Sequence, residues 1–148
     1  MAKIPSVLWD AINTAFPDHV MLLGTPMPDG YVQISPRGSV VVYDEETLGF
    51  WARGHGTTHD NMKDGDKVTL FIRHREIRQF LPKGGIARFY GTVTVYKDGP
   101  VREAIWEKMI EAERERDPDK KGYAVLVAIE RAETLDHAPL EEFIQSEN

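Results

Sequence analysis

The chain contains no cysteine. That excludes disulfides, thiolate metal sites, iron–sulfur clusters and a cysteine nucleophile. It also fits a reducing cytoplasm. Long apolar runs are missing too. No segment reaches the roughly 18 residues that suggest a membrane span, and Met1-Ala2-Lys3-Ile4-Pro5 lacks the apolar run of a signal peptide. The expected location is cytoplasmic, with no membrane partner. Basic side chains are in deficit, 18 against 24 acidic ones, for a formal net charge of −6. Nucleic acid is therefore not an expected partner. There is no GxGxxG fingerprint, no H-E-x-x-H, no P-loop ending and no G-x-S-x-G elbow.

What remains is an ordinary globular composition, 41% apolar and 28% charged in 148 residues. One domain spanning 1–148 is expected, with an acidic tail from about 137 to 148. Ser6 to Phe16 reads as a short amphipathic helix through Leu8, Ile12 and Ala15, capped by Ser6. Short strands follow at His19–Thr25, Tyr31–Ser35, Ser39–Tyr43 and Leu48–Ala52, joined by tight turns such as Pro26-Met27-Pro28-Asp29-Gly30. Lys67–Arg75 and Ile86–Tyr96 alternate as strands. In the second, Phe89, Gly91, Val93 and Val95 share one face, and Gly91 predicts a bend or bulge. Val101–Arg116 reads as a helix with the stripe Val101, Ile105, Met109 and Ala112, its charged remainder facing water. Gly122–Glu130 is the closing strand. Few connections are long enough for βαβ crossovers. The expected fold is mostly β with added helices, a largely antiparallel barrel.

Three stretches carry candidate chemistry. Ser35-Pro36-Arg37-Gly38-Ser39 is a turn whose Arg37 offers a planar fork of donors suited to phosphate; the alternative is a plain hairpin with an exposed arginine. Trp51-Ala52-Arg53 ends a strand before Gly54-His55-Gly56. Thr57, Thr58 and Asn61 then stand where a helix start would present free amides to an anion; the alternative is a capped surface helix. Arg73, His74, Arg75 and Arg78 form a basic cluster in an acidic chain, either an anion site or a solvated strand end. His55 and His59 lie at i, i+4, but the glycines around His55 disfavour a continuous helix, and no metal site is expected. Trp9, Trp51 and Trp106 read as core residues, with Trp51 placed to wall a flat ligand.

In order and spacing these segments resemble the pyridoxamine 5'-phosphate oxidase-like FMN-binding split β-barrels. The resemblance runs from about Ile4 to Leu135. It rests on Val32-Gln33-Ile34-Ser35-Pro36-Arg37-Gly38-Ser39-Val40, Leu48-Gly49-Phe50-Trp51-Ala52-Arg53, Thr57-Thr58-His59-Asp60-Asn61-Met62, Arg88-Phe89-Tyr90-Gly91-Thr92-Val93 and Gly122-Tyr123-Ala124-Val125-Leu126-Val127. It implies a homodimer with FMN at the subunit interface. Ser35, Pro36, Arg37, Gly38, Ser39, Trp51, Ala52 and Arg53 would then line the flavin, and Thr57, Thr58 and Asn61 would complete the phosphate site, with Arg73 reaching it from a neighbouring strand. It further implies an oxidoreductase acting on a small molecule, in which the flavin carries the chemistry and no acid or base residue stands out. The alternatives are a non-catalytic module for flavin or another flat cofactor, haem or a deazaflavin, and an interaction protein that has lost the cofactor. One departure favours the last. Many members carry a Lys or Arg in the short helix after the Gly-rich loop, where this chain has Thr58, His59 and Asp60.

Overall fold

The computed structural model describes residues 1–53, 62–81 and 83–144, and of Phe143 and Ile144 only the backbone. Its centre is one seven-stranded antiparallel sheet. The strands are β1 (Met21–Pro26), β2 (Val32–Arg37), β3 (Val41–Asp44), β4 (Thr47–Ala52), β5 (Lys67–Arg73), β6 (Ile86–Tyr96) and β7 (Tyr123–Glu133). Their order is β2-β1-β5-β6-β7-β4-β3, so β2 and β3 are the edges. Pro36, which has no N–H to give a ladder, stands on edge strand β2, where a proline does least harm.

Alternation explains the two longest strands. Along β6, Ala87, Phe89 and Val93 are buried, and in β7 Val125, Val127 and Ile129 join them. These side chains pack with Leu23, Phe50, Leu70 and Ile72 into the main core, which the N-terminal segment covers with Ile4, Leu8 and Ile12. The bend expected at Gly91 is present: Tyr90 pairs with Arg131 but Gly91 with Ile129, so Glu130 is the extra residue of a bulge. A Cβ on Gly91 would lie 2.3 Å from the Ala128 carbonyl oxygen, so the backbones meet too closely there for any side chain.

Helices differ more from expectation. Residues Ser6–Leu8 form a 3-10 turn and only α1 (Trp9–Asn13) is α-helical here; Ser6 lies inside that turn, and the N-cap positions fall to Pro5 and Leu8. The expected Val101–Arg116 helix is two pieces, α2 (Gly99–Lys108) and α3 (Glu111–Arg114), because Met109 and Ile110 adopt extended backbone with ψ of 149° and 151°. Arg114 reaches back and donates to the carbonyls of Trp106, Glu107 and Met109, satisfying the end of α2. The break re-aims the side chains of α3 and the turn after it. Ala112 is exposed while Glu113 and Asp117 are buried, the reverse of the simple stripe. Ile105 packs over Gly49 of β4, and with Val41, Trp51, Met109 and Ala124 it makes a second, smaller core on the other side of the sheet. Trp9 is only partly buried, its indole N–H donating to Ile4 O at 2.8 Å. The chain after β7 is not wholly peripheral: Leu140 is fully buried, and α4 (Glu141–Ile144) follows it. Among the described residues no helix is long and apolar enough to cross a membrane.

Candidate functional site

Strand β2 runs through Arg37, so Ser35, Pro36 and Arg37 are strand residues and the turn itself begins at Gly38. The register, Met21 opposite Arg37 and Leu22 opposite Pro36, fixes where that strand ends. The turn is then stitched to β4. The Ser39 hydroxyl accepts the Trp51 backbone N–H at 3.0 Å and lies 3.3 Å from the Trp51 carbonyl, to which it donates. Two segments far apart in chain order thereby meet around an open pocket of about 310 Å³.

Six expected residues line it: Pro36, Arg37, Gly38, Ser39, Trp51 and Arg53. Two others do not. Ala52 is fully buried in the main core, and Ser35 stands outside the lining. Thr57, Thr58 and Asn61 lie outside the described residues, as do His55 and His59. Four lining residues carry no signal in the sequence: Phe16, Val20, Glu113 and Arg116. Glu113 and Arg116 arrive because of the break after α2. Arg116 brings a third cation to the pocket, beside Arg37 and Arg53.

Arg37 is the most constrained of the cations. Burial lowers its pKa from the ordinary guanidinium value and nearby Arg53 lowers it further, while Tyr123 and Glu113 favour the charged form. A guanidinium stays charged under such pressure. Its Cζ stands 5.3 Å from the centre of the Phe50 ring. Among the described residues its buried Nε has no hydrogen-bond partner, nor has the buried Ser35 hydroxyl. Unspent donors of this kind are uncommon in folded proteins.

Trp51 is held from three sides. Its indole N–H donates to Asp117 Oδ2 at 2.8 Å. The Arg102 guanidinium lies 5.0 Å from its ring centre, and Trp106 packs at 4.9 Å with the planes tilted by 59°. Asp117 also accepts the backbone N–H groups of Gly122, at 2.8 Å, and Lys121, at 3.1 Å. Burial works to raise the Asp117 pKa, but hydrogen bonds from Trp51, Gly122 and Lys121, together with Arg102, outweigh it and leave the carboxylate below its usual value.

The basic cluster divides. Arg73, Arg75 and Arg78 are exposed and do not line the pocket, whereas His74 is buried against His19 with ring centres 3.9 Å apart. Among the described residues no group of three or more metal-ligating acidic or histidine side chains comes together. A second groove lies on the sheet formed by β2, β1 and β5, lined by Leu22, Gly24, Val32, Ile34, Thr69 and Phe71. It is strongly apolar: Val32 and Ile34 are 64% and 68% exposed, with Tyr31 beside them at 74%.

The family model described as pyridoxamine 5'-phosphate oxidase matches residues 8–136. The chain belongs to that family. No curated protein matches it. Among solved structures, a pyridoxamine 5'-phosphate oxidase-type protein of Lactobacillus delbrueckii superposes with a TM-score of 0.63 at 23% identity, over 88% of this chain and 93% of that one. HupZ of Group A Streptococcus gives 0.64 at 21% identity, over 92% and 97%. A heme binding protein of Mycobacterium smegmatis gives 0.57 at 12% identity, over 96% of this chain and 61% of its own. At these identities the likeness is one of fold: a mostly antiparallel split barrel, here an open sheet.

Proposed function

We propose that the chain binds FMN in the pocket between β2 and β4 and acts as a flavin-dependent oxidoreductase on a small molecule. The observation that carries this is the gathering of three arginines. Arg37, Arg53 and Arg116 converge on one pocket, and among the described residues no group accepts from the buried Arg37 Nε. A phosphate ester supplies acceptor oxygens and the opposite charge for such a cluster. Gly38 keeps the turn bare where it packs against the pocket wall: a Cβ there would stand 2.7 Å from Phe16 and 2.8 Å from Glu113.

Arg37 and Arg53 would hold the phosphate, and Trp51, clamped by Asp117, would give the flat ring system a rigid neighbour. Bound FMN supplies hydride and electron transfer, and the protein's part is position and electrostatics. The apolar groove on β2, β1 and β5 supports a homodimer, since exposed apolar patches of this kind mark association surfaces. The cytoplasm is the compartment we favour. A second reading is a module for another flat cofactor, a deazaflavin or haem, and the fold shared with the mycobacterial heme binding protein favours including haem.

The visible absorption spectrum of the purified protein with added FMN tests the assignment. A flavin band that shifts on binding, and a bound flavin that a nicotinamide donor reduces and acceptors reoxidise faster than free FMN, is the expected result. No binding at micromolar concentration sinks it, and a haem spectrum selects the second reading.

A further inference from the structure

The pocket that gathers three arginines also contains a carboxylate. Glu113 is 7% exposed, although Glu111, Ala112 and Glu115 around it are all exposed. Its Oε2 lies 3.4 Å from Arg116 Nη1 and, across the bare Gly38 turn, 2.8 Å from where a Cβ would project. Burying a carboxylate costs several kcal/mol unless cations offset it. Arg116 is half exposed and its contact with Glu113 is long, so it offsets little. Arg37 and Arg53 line the same pocket, and Glu113 favours the charged form of Arg37. Glu113 and Arg37 line the same pocket, so a phosphate held by that guanidinium would sit beside a buried carboxylate.

We propose that Glu113 is a specificity-determining residue of this pocket, a built-in anion that competes with the ligand's phosphate and keeps a phosphorylated ligand exchangeable. This rests on the phosphate-binding reading given above. Two anions a few ångströms apart repel by several kcal/mol at protein-like dielectric. The pocket therefore holds a phosphate ester more weakly than three arginines alone would. The penalty falls on the phosphate and spares the rings, so Glu113 narrows the gap between FMN and riboflavin.

The test is titration of FMN and of riboflavin, by quenching of flavin fluorescence, into the full chain and into Glu113→Gln at fixed salt. Glu113→Gln is expected to bind FMN about tenfold more tightly or better, and riboflavin within about twofold of the parent. Unchanged or weaker FMN binding by the folded variant, or equal tightening of both flavins, overturns the proposal. Should neither flavin bind either protein, the flavin reading fails, and inorganic pyrophosphate followed by tryptophan fluorescence decides the rest. Tighter pyrophosphate binding by Glu113→Gln supports the role of Glu113, and equal or absent binding in both proteins overturns it. Should Glu113→Gln fail to fold, Glu113→Asp withdraws the charge by one methylene while keeping it. Several-fold tighter FMN binding supports the proposal there, and unchanged or weaker binding overturns it.

Discussion

Replacing Asp117 with alanine removes a carboxylate that is 8% exposed and accepts three hydrogen bonds, from the Trp51 indole and the Gly122 and Lys121 amides. Hydrogen bonds to a charged group contribute about 1.5–3 kcal/mol each, and a buried donor left without a partner costs about 1–3 kcal/mol. The three share one acceptor group and do not add fully. Lys121 is exposed and its amide can turn to water, whereas Gly122 is buried and the Trp51 N–H is fixed between Arg102 and Trp106. We expect Asp117→Ala to cost about 3–5 kcal/mol. Asp117→Asn should cost less, since one acceptor oxygen survives while its amide NH₂ faces a donor. Urea unfolding followed by far-ultraviolet circular dichroism measures this at constant m. The pH dependence gives an independent check. A carboxylate whose pKa is depressed in the folded state stabilises above its unfolded value, near 3.8, and that contribution is lost as pH falls through the folded value. Asp117→Asn should therefore flatten the acid limb of the stability curve. A cost below about 1 kcal/mol for Asp117→Ala would refute the clamp and with it the rigidity of Trp51.

His74 is buried, and its pKa is lowered by desolvation and then by His19. The unfolded chain binds that proton first, so stability should fall as pH drops below the ordinary imidazole value of 6.5. His74→Gln should lose this dependence in unfolding curves taken between about pH 5 and 7. On the β2 edge, Ile34→Lys places a charge on the apolar groove. Analytical ultracentrifugation should show a dimeric parent and a folded monomeric variant, and a variant that stays dimeric would move the interface elsewhere. Arg37→Ala should weaken FMN binding by about tenfold or more, in line with a charge-assisted bidentate contact.

The parts legible in the sequence are those whose pattern is local. The span Ile86–Tyr96 is legible residue for residue, since alternation over eleven positions leaves little freedom and the bulge follows from Gly91. The Ser35–Ser39 and Trp51–Arg53 segments read as one site, and the structure brings six of those eight residues to one pocket. The failures share a cause, which is that tertiary contacts overrode a local pattern. Val101, Ile105, Met109 and Ala112 keep helical spacing, yet the backbone extends at Met109 and Ile110. Arg114 then caps the freed carbonyls. Nothing in the spacing separates Glu113 from its solvated neighbours, and its place in the pocket depends on that break. Phe16 and Val20 enter from a segment that reads as a helix end and a strand start. The one hint of the break is the charged run from Glu111 to Asp119, too poor in apolar positions to continue an amphipathic helix.

The central claim is that the pocket reads a phosphate ester through Arg37. Parallel equilibrium titrations of FMN and riboflavin into the parent chain and Arg37→Ala test it most directly. The parent is expected to prefer FMN, and Arg37→Ala to lose most of this preference while its riboflavin affinity holds. Equal affinity of the parent for both flavins, or a preference that survives in Arg37→Ala, would contradict it.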